Sequence, residues 1–139
     1  MPARDYYHNT VKSAIQKDGW RITEDSYLLK LTRRKNLFVD LGAERLIAAE
    51  KGLEKIAIEV KSFGSASEMK DLEQAIGQFV LYEHILNRYE PERKLYLAVS
   101  EEIRQSVFEE EAGIILIEDR ILRLVSFNPT KEEIVKWIP

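Results

Sequence analysis

Lys55-Ile-Ala-Ile-Glu-Val-Lys-Ser-Phe63 reads as a core strand that carries charge on one face. Strand side chains alternate, so Ile56, Ile58 and Val60 point one way and Ala57, Glu59 and Lys61 the other. A carboxylate and an ammonium thus stand side by side within an apolar, β-branched run. Removing either group from water is costly unless it is paired or bound to a metal, so a chemical reason is expected for their placement. The tripeptide Glu-x-Lys is weak evidence by itself, since it occurs three times in the chain. Glu68-Met-Lys70 opens a helical pattern, and Glu92-Arg-Lys94 lies in a polar connection after Pro91. Glu59 and Lys61 alone sit inside a strand pattern and follow a second apolar segment broken by a lone acid, Asp40 in Leu37-Phe-Val-Asp-Leu41.

Around this segment, Leu37 to Phe63 reads as strand, turn and strand. Glu50-Lys-Gly-Leu-Glu54 is the expected turn, because Gly52 tolerates positive φ, and Gly42-Ala-Glu-Arg45 is expected to form a bulge or bend. Upstream, Tyr6, Tyr7, Val11, Ala14 and Ile15 recur at helical spacing, Asp18-Gly19 closes that helix before Trp20, and Tyr27 to Leu31 reads as a first strand. Downstream, Ser67 is an N-cap for a helix over Glu68–Tyr89. Its Leu72, Ile76, Phe79, Val80 and Leu86 form one apolar sector that Leu81 and Ile85 extend. This predicts a helix buried on most of its circumference, with Gln74 and Gln78 facing protein or a site. Lys94–Val99 then reads as a strand covered on both faces, Glu101–Glu110 as a short helix, and Gly113–Glu118 and Leu122–Phe127 as strands. Thr130 is expected to cap a last helical turn ending in Trp137. The order α-β-β-β-α-β, followed by β-rich elements, predicts a single α/β domain over 1–139 with a mixed sheet and helices on its faces.

With 139 residues, 45% hydrophobic and 32% charged, the chain suffices for one core. It has no cysteine, which excludes disulfides, thiolate metal sites and cysteine nucleophiles and fits a cytoplasmic setting. No run approaches a membrane span, and Met1-Pro-Ala-Arg-Asp5 lacks the order of a secretory signal. A net charge of −3 gives no global attraction to nucleic acid. Arg33-Arg34-Lys35, with Lys30 upstream, is the one basic cluster, and such a run is ordinarily a solvated turn. Neither a Gly-rich phosphate loop nor a Ser-His-Asp order is visible, and His8 and His84 lack zinc-ligand pairing and read as surface residues.

Asp40 in one strand, Glu59-Val-Lys61 in the next strand nineteen residues later, and a following helix with an inward Gln resemble the PD-(D/E)xK nuclease superfamily. That resemblance implies a restriction-endonuclease-like fold. Over its whole length the chain is more specifically similar to the fdxN-element excision controlling factors, the XisH-type proteins of cyanobacteria. Phe38-Val-Asp-Leu-Gly-Ala-Glu-Arg-Leu-Ile-Ala-Ala-Glu-Lys-Gly52, Asp71-Leu-Glu-Gln-Ala-Ile-Gly-Gln-Phe79 and Val135-Lys-Trp-Ile-Pro139 carry much of the likeness.

The resemblance implies a role in programmed, site-specific excision of a DNA element, beside a recombinase and a second excision controlling factor. It implies Asp40 and Glu59 as ligands of Mg²⁺ or Mn²⁺, Lys61 as the group that orients or deprotonates a water, and Gln78, less securely Gln74, as the helix Gln near the site. Hydrolysing a phosphodiester requires an activated water and neutralised phosphate charge, which a hard cation on oxygen ligands supplies. The chain departs from the superfamily in having no Glu in its first helix. Asp5, His8 and Lys12 are the polar groups there, and Glu44 or Glu50 is an alternative third acid. Two classes of function are expected: a metal-dependent endonuclease, or a nuclease-fold accessory protein that binds DNA or protein and controls a recombinase. The wrapped helix and the apolar end Ile134–Pro139 also predict a homodimer or a complex with the companion factor.

Overall fold

Gly52 takes φ +61°, and there the chain reverses between β2, Leu46–Lys51, and β3, Glu54–Val60. Glycine adopts this left-handed backbone without a Cβ clash, as the expected turn requires. The hairpin lies within a computed structural model that describes residues 6–27 and 46–139. Before it come α1, His8–Lys17, and β1, Arg21–Tyr27. After it come α2, Glu68–Tyr89, β4, Arg93–Ser100, α3, Glu101–Val107, α4, Glu111–Glu118, β5, Leu124–Asn128, and β6, Glu133–Ile138.

Among the described residues the strands form one six-stranded sheet in the order β1-β2-β3-β4-β5-β6. Antiparallel pairs join β1 to β2, β2 to β3 and β5 to β6, while β3, β4 and β5 run parallel. Parallel neighbours need a crossover, which α2 supplies from β3 to β4 and α3 with α4 from β4 to β5. The result is a mixed α/β fold. The predicted strand at Leu37–Leu41, the bend Gly42–Arg45 and the Arg33-Arg34-Lys35 cluster lie outside the described residues.

Alternation along β3 divides the core. Ile56, Ile58 and Val60 pack with Val11, Ala14 and Ile15 of α1 and with Trp20 on one face of the sheet. Ala57 packs on the other face with Leu72, Ala75 and Phe79 of α2 and with Leu95 and Leu97 of β4. β4 runs between two parallel neighbours and is buried from Leu95 to Ser100, which accounts for its unbroken apolar reading.

α2 begins and ends as its sequence predicts, and the Ser67 side chain accepts a hydrogen bond from the Lys70 N–H at its start. Its circumference does not follow the prediction. One stripe is buried, Leu72, Ala75, Phe79, Tyr82, Ile85 and Leu86, whereas Leu81 is 48% exposed. A single sheet face beneath the helix covers only about one third of it, so apolar residues to the side of the stripe stay wet.

Two other expectations are corrected. The apolar run at Gly113–Glu118, expected to be a strand, is helical in α4, with Ala112, Leu116 and Ile117 packed on the core and Ile115 47% exposed. A short apolar run does not distinguish strand from helix by periodicity. The chain beyond Thr130 is β6 and not a helical turn, because the Asn128 side chain accepts hydrogen bonds from the N–H groups of Thr130 and Lys131 and turns the backbone into a hairpin with β5. The first described strand starts at Arg21 and pairs with β2 over Arg21–Tyr27, and residues 28–31 of the strand expected at Tyr27–Leu31 lie outside the described residues.

Gly113 sets how closely α4 approaches α3. It is buried against the end of α3, where an added Cβ would meet the Val107 carbonyl oxygen and lie 2.5 Å from the Phe108 Cα. Both are backbone atoms that cannot swing away. Gly113→Ala is therefore expected to destabilise the protein by about 2 kcal/mol despite alanine's higher helix propensity, an overpacking cost measurable by urea denaturation.

Candidate active site

Glu59 and Lys61 stand at the carboxyl end of β3. Glu59 pairs with Leu97 on β4, and the Lys61 N–H donates to the Ala98 carbonyl at 3.1 Å, which keeps the backbone extended past the last strand residue. Both side chains lie on the α2 face. Glu59 is 1% exposed, and the Lys61 ammonium, its side chain 20% exposed, lies 3.9 Å from Glu59 Oε2. The ion pair thus joins a carboxylate sealed in the core to an ammonium that reaches the surface.

Lys61 opens onto a cavity of about 370 Å³ whose walls include Ser62, Ser65, Asp71 and Gln74. The loop between β3 and α2 is anchored from within: the Ser65 hydroxyl donates to Asp71 Oδ1 at 2.7 Å and the Ser65 N–H to Asp71 Oδ2 at 3.2 Å. Phe63, at φ +55°, takes a left-handed backbone that side chains disfavour, and its ring is held edge-on to Phe108 at 6.0 Å. Gln78 lies one turn beyond Gln74 and is half-buried with its Oε1 covered. Of the two glutamines, Gln74 is the one that lines this cavity. Asp71 and Ser65 carried no catalytic pattern in the sequence; an Asp inside the first helical turn after a Ser-x-Ser was the available sign.

The other proposed acids separate by position. Asp40, Glu44 and Asp5 lie outside the described residues. Glu50 pairs with Lys55, four residues before Glu59, or roughly 13 Å along the strand. There it lies 3.4 Å from Arg21 and 3.7 Å from Arg93, so Glu50 belongs to the opposite end of the sheet. His8 is not a surface residue: it is 2% exposed, and its Nε2 lies 2.7 Å from Asp25 Oδ1. Lys12, one helical turn on, donates to Asp25 Oδ2 at 3.0 Å. Burial pushes the Asp25 carboxyl up, but the Lys12 and His8 hydrogen bonds outweigh it and hold the group below its ordinary value. Asp25 pairs with Ile47, which packs on the α1 face, so this cluster lies across the sheet from Glu59. The spacing of His8 and Lys12 on one helical face was its sequence signal.

A second charged cluster braces the neighbouring strand. Arg104 donates to both oxygens of Glu101 at 2.7 and 2.6 Å, and the fully buried Ser126 hydroxyl donates to Glu101 Oε1 at 2.7 Å. Chiefly through Arg104, the Glu101 carboxyl is held down to about 2 from an ordinary 4.5. A depressed carboxylate stabilises the fold above its unfolded value and loses that contribution as pH falls through its folded value. With the Glu101 side chain 24% exposed, the contribution is about 1–2 kcal/mol after screening. The stability difference between wild type and Glu101→Gln is expected to be full at neutral pH and to vanish between pH 4.5 and about 2, as urea titrations across that window would record.

Among the described residues, no helix is long and apolar enough to cross a membrane, and no cluster of three or more His, Asp or Glu is arranged to hold a metal. Fold and site together define a mixed α/β protein with a buried carboxylate and a partly exposed ammonium at the end of a central strand. Comparison with known proteins gives the family. Residues 1–135 match the model of the XisH protein family, and the chain belongs to that family. Two solved structures are similar over nearly the whole chain. An XisH family protein from Nostoc punctiforme is 36% identical, with 97% of this chain and 100% of that one covered and a TM-score of 0.83. An fdxN element excision controlling factor protein from Anabaena variabilis is 34% identical, with 98% and 100% covered and a TM-score of 0.84. No match is found among curated proteins.

Proposed function

We propose that this chain is an endonuclease-like factor of the restriction-endonuclease-like PD-(D/E)xK superfamily. It would control site-specific excision of an fdxN-type DNA element and hydrolyse phosphodiester bonds with Mg²⁺ or Mn²⁺ at Asp40, Glu59, Lys61 and Gln78. The observation that carries this reading is the Glu59 and Lys61 pair, in which a 1% exposed carboxylate is held 3.9 Å from an ammonium that reaches solvent. A stability function alone does not favour that placement. The relative from Anabaena variabilis, named as an excision controlling factor, supports the DNA-directed role.

The donor chemistry fits a hard cation in part. Glu59 offers a carboxylate on a rigid strand, and Mg²⁺ retains several waters and needs only one or two protein carboxylates, with Asp40 as the second. When bound, the ion would supply an acidified water and neutralise phosphate charge. Glu59 would fix the ion's position from the sheet. Lys61 would hold the attacking water against the phosphate and offset negative charge growing on its oxygens, while the helix glutamine would donate hydrogen bonds at the rim. DNA, a recombinase, a second excision controlling factor and a second copy of the chain are the proposed partners, met in the cytoplasm.

The second reading, a nuclease-fold accessory protein that regulates a recombinase without cutting, draws on the closeness of the pair itself, since Lys61 already neutralises Glu59. A nicking assay on supercoiled and branched DNA with Mg²⁺ or Mn²⁺ tests the choice. Conversion to open circles that EDTA abolishes is the expected result, and intact DNA bound under the same conditions would favour the accessory role.

A further inference from the structure

The two flanks of α2 differ in chemistry. With successive residues turned by roughly 100°, Asp71 and Gln74 fall on the flank that lines the Lys61 cavity, while Met69 and Leu72 fall on the other. On that second flank the helix meets the corner between α3 and α4 in a groove of about 240 Å³. Leu72 and Val107 close its floor, and Met69 stands over it 55% exposed. Ala112 forms the α4 wall, and Ile115, one turn further along α4, is 47% exposed. The polar residues of the lining are Glu68, Glu110 and Ser106, with no lysine or arginine among them. Glu111, between Glu110 and Ala112 in the chain, adds a third carboxylate to the rim.

Acids in a first helical turn ordinarily complement the helix dipole, and Glu68 and Glu111 stand in the first turns of α2 and α4. That service does not use up the charge. Each helix N-terminus is worth about half a positive charge, so the two offset about one of the three carboxylates and leave the rim negative by about two. Glu110 is the N-cap of α4 yet makes no side-chain capping bond. Nearby cations do not supply the difference: Arg104 is committed to Glu101 and Glu109, and Lys70 projects roughly a quarter-turn away from Met69. A negative rim repels DNA and anionic membranes alike. What complements an apolar hollow bordered by free carboxylates is an apolar side chain flanked by cations, the pattern of an amphipathic helix laid in a groove. Met69 suits such a contact, because its unbranched thioether adapts to the shape of what covers it.

We infer that the groove between α2 and the α3–α4 corner docks a cationic amphipathic segment of a partner protein, an apolar side chain seated beside Met69 and its Lys or Arg residues on Glu68, Glu110 and Glu111. Docking there is independent of the phosphodiester chemistry, because the Lys61 cavity opens on the opposite flank of α2. A fluorescein-labelled helical peptide of leucine and lysine, titrated by anisotropy, is the probe, beside a serine and lysine peptide of equal charge. The leucine and lysine peptide alone should bind saturably, and salt at about 1 M, where the screening length falls to about 3 Å, should weaken it about tenfold. Met69→Lys and Glu110→Lys should each weaken binding by about tenfold, the first by removing an apolar anchor and the second by reversing a rim charge. Leu81→Lys adds the same charge as Met69→Lys at an exposed leucine elsewhere on α2 and should bind as wild type does. All three positions are exposed, so the variants should melt with the wild type. No binding by the wild type, equal binding of the serine and lysine peptide, or an equal loss in Leu81→Lys would overturn the groove. Light scattering in which Met69→Lys turns a dimer into a monomer would assign the groove to a second copy and overturn the partner inferred here.

Discussion

Lys61→Ala is expected to slow metal-supported nicking of DNA by roughly 10²–10³-fold, the usual loss when one preorganised stabiliser of transition-state charge is removed. Its removal leaves the 1% exposed Glu59 carboxylate without its ion-pair partner, so Lys61→Ala is also expected to lower folding stability, and the rate is compared on protein shown by its melt to be folded. Lys61→Arg separates two roles for the ammonium. Arginine keeps the charge but does not give up a proton near neutral pH, so activity retained in Lys61→Arg assigns Lys61 to charge stabilisation, whereas loss in both variants assigns it to proton transfer. Measuring kcat and KM separately makes the test sharper, because a residue that acts on the transition state lowers kcat with KM nearly unchanged. Nicking by Lys61→Ala at the wild-type rate would remove the catalytic reading.

The elements that frame this site were legible where local rules and tertiary demands agree. Ser67 caps α2 as its hydroxyl chemistry requires, and Gly52 turns the hairpin as its missing Cβ allows. The two-residue period of β3 separated Ile56 and Ile58 from Ala57 onto opposite faces, which also set Glu59 on the face beneath α2. What failed depended on partners distant in sequence. The run at Gly113–Glu118 is helical with Leu116 and Ile117 on the core, and a short apolar run carries no period that separates helix from strand. β6 forms because Asn128 caps the turn and β5 offers an edge. His8 was misplaced on the surface because its partner, Asp25, lies seventeen residues away on another element. The pair Glu59 and Lys61 was readable because both residues belong to one strand. The acid proposed as their companion, Asp40, lies on a separate segment outside the described residues.

Glu59 is where stability and chemistry are expected to oppose one another. Its carboxylate is buried on a sheet face whose neighbours include Ala57, Leu72 and Leu97, and its ion-pair partner already reaches water. Replacing a buried charge by a well-packed apolar side chain of similar volume is frequently stabilising by roughly 1–4 kcal/mol, provided the partner is not left stranded in the core. The Lys61 ammonium can turn outward, so Glu59→Leu should raise the melting temperature of the metal-free protein, as for residues retained for function at the expense of stability. The metal response should change in the opposite sense. A divalent cation that binds the native chain and not the unfolded one raises stability by RT ln(1 + [L]/Kd), or about 1–3 kcal/mol at strong saturation. Wild type should therefore melt higher in Mg²⁺ or Mn²⁺ than in EDTA, while Glu59→Leu and Asp40→Asn should melt alike in both. The two shifts together distinguish a functional carboxylate from a structural one, because a structural Glu59 would lose stability on substitution and leave the metal response intact. Wild type and both variants responding identically to the metals would leave the accessory role as the surviving explanation of this fold.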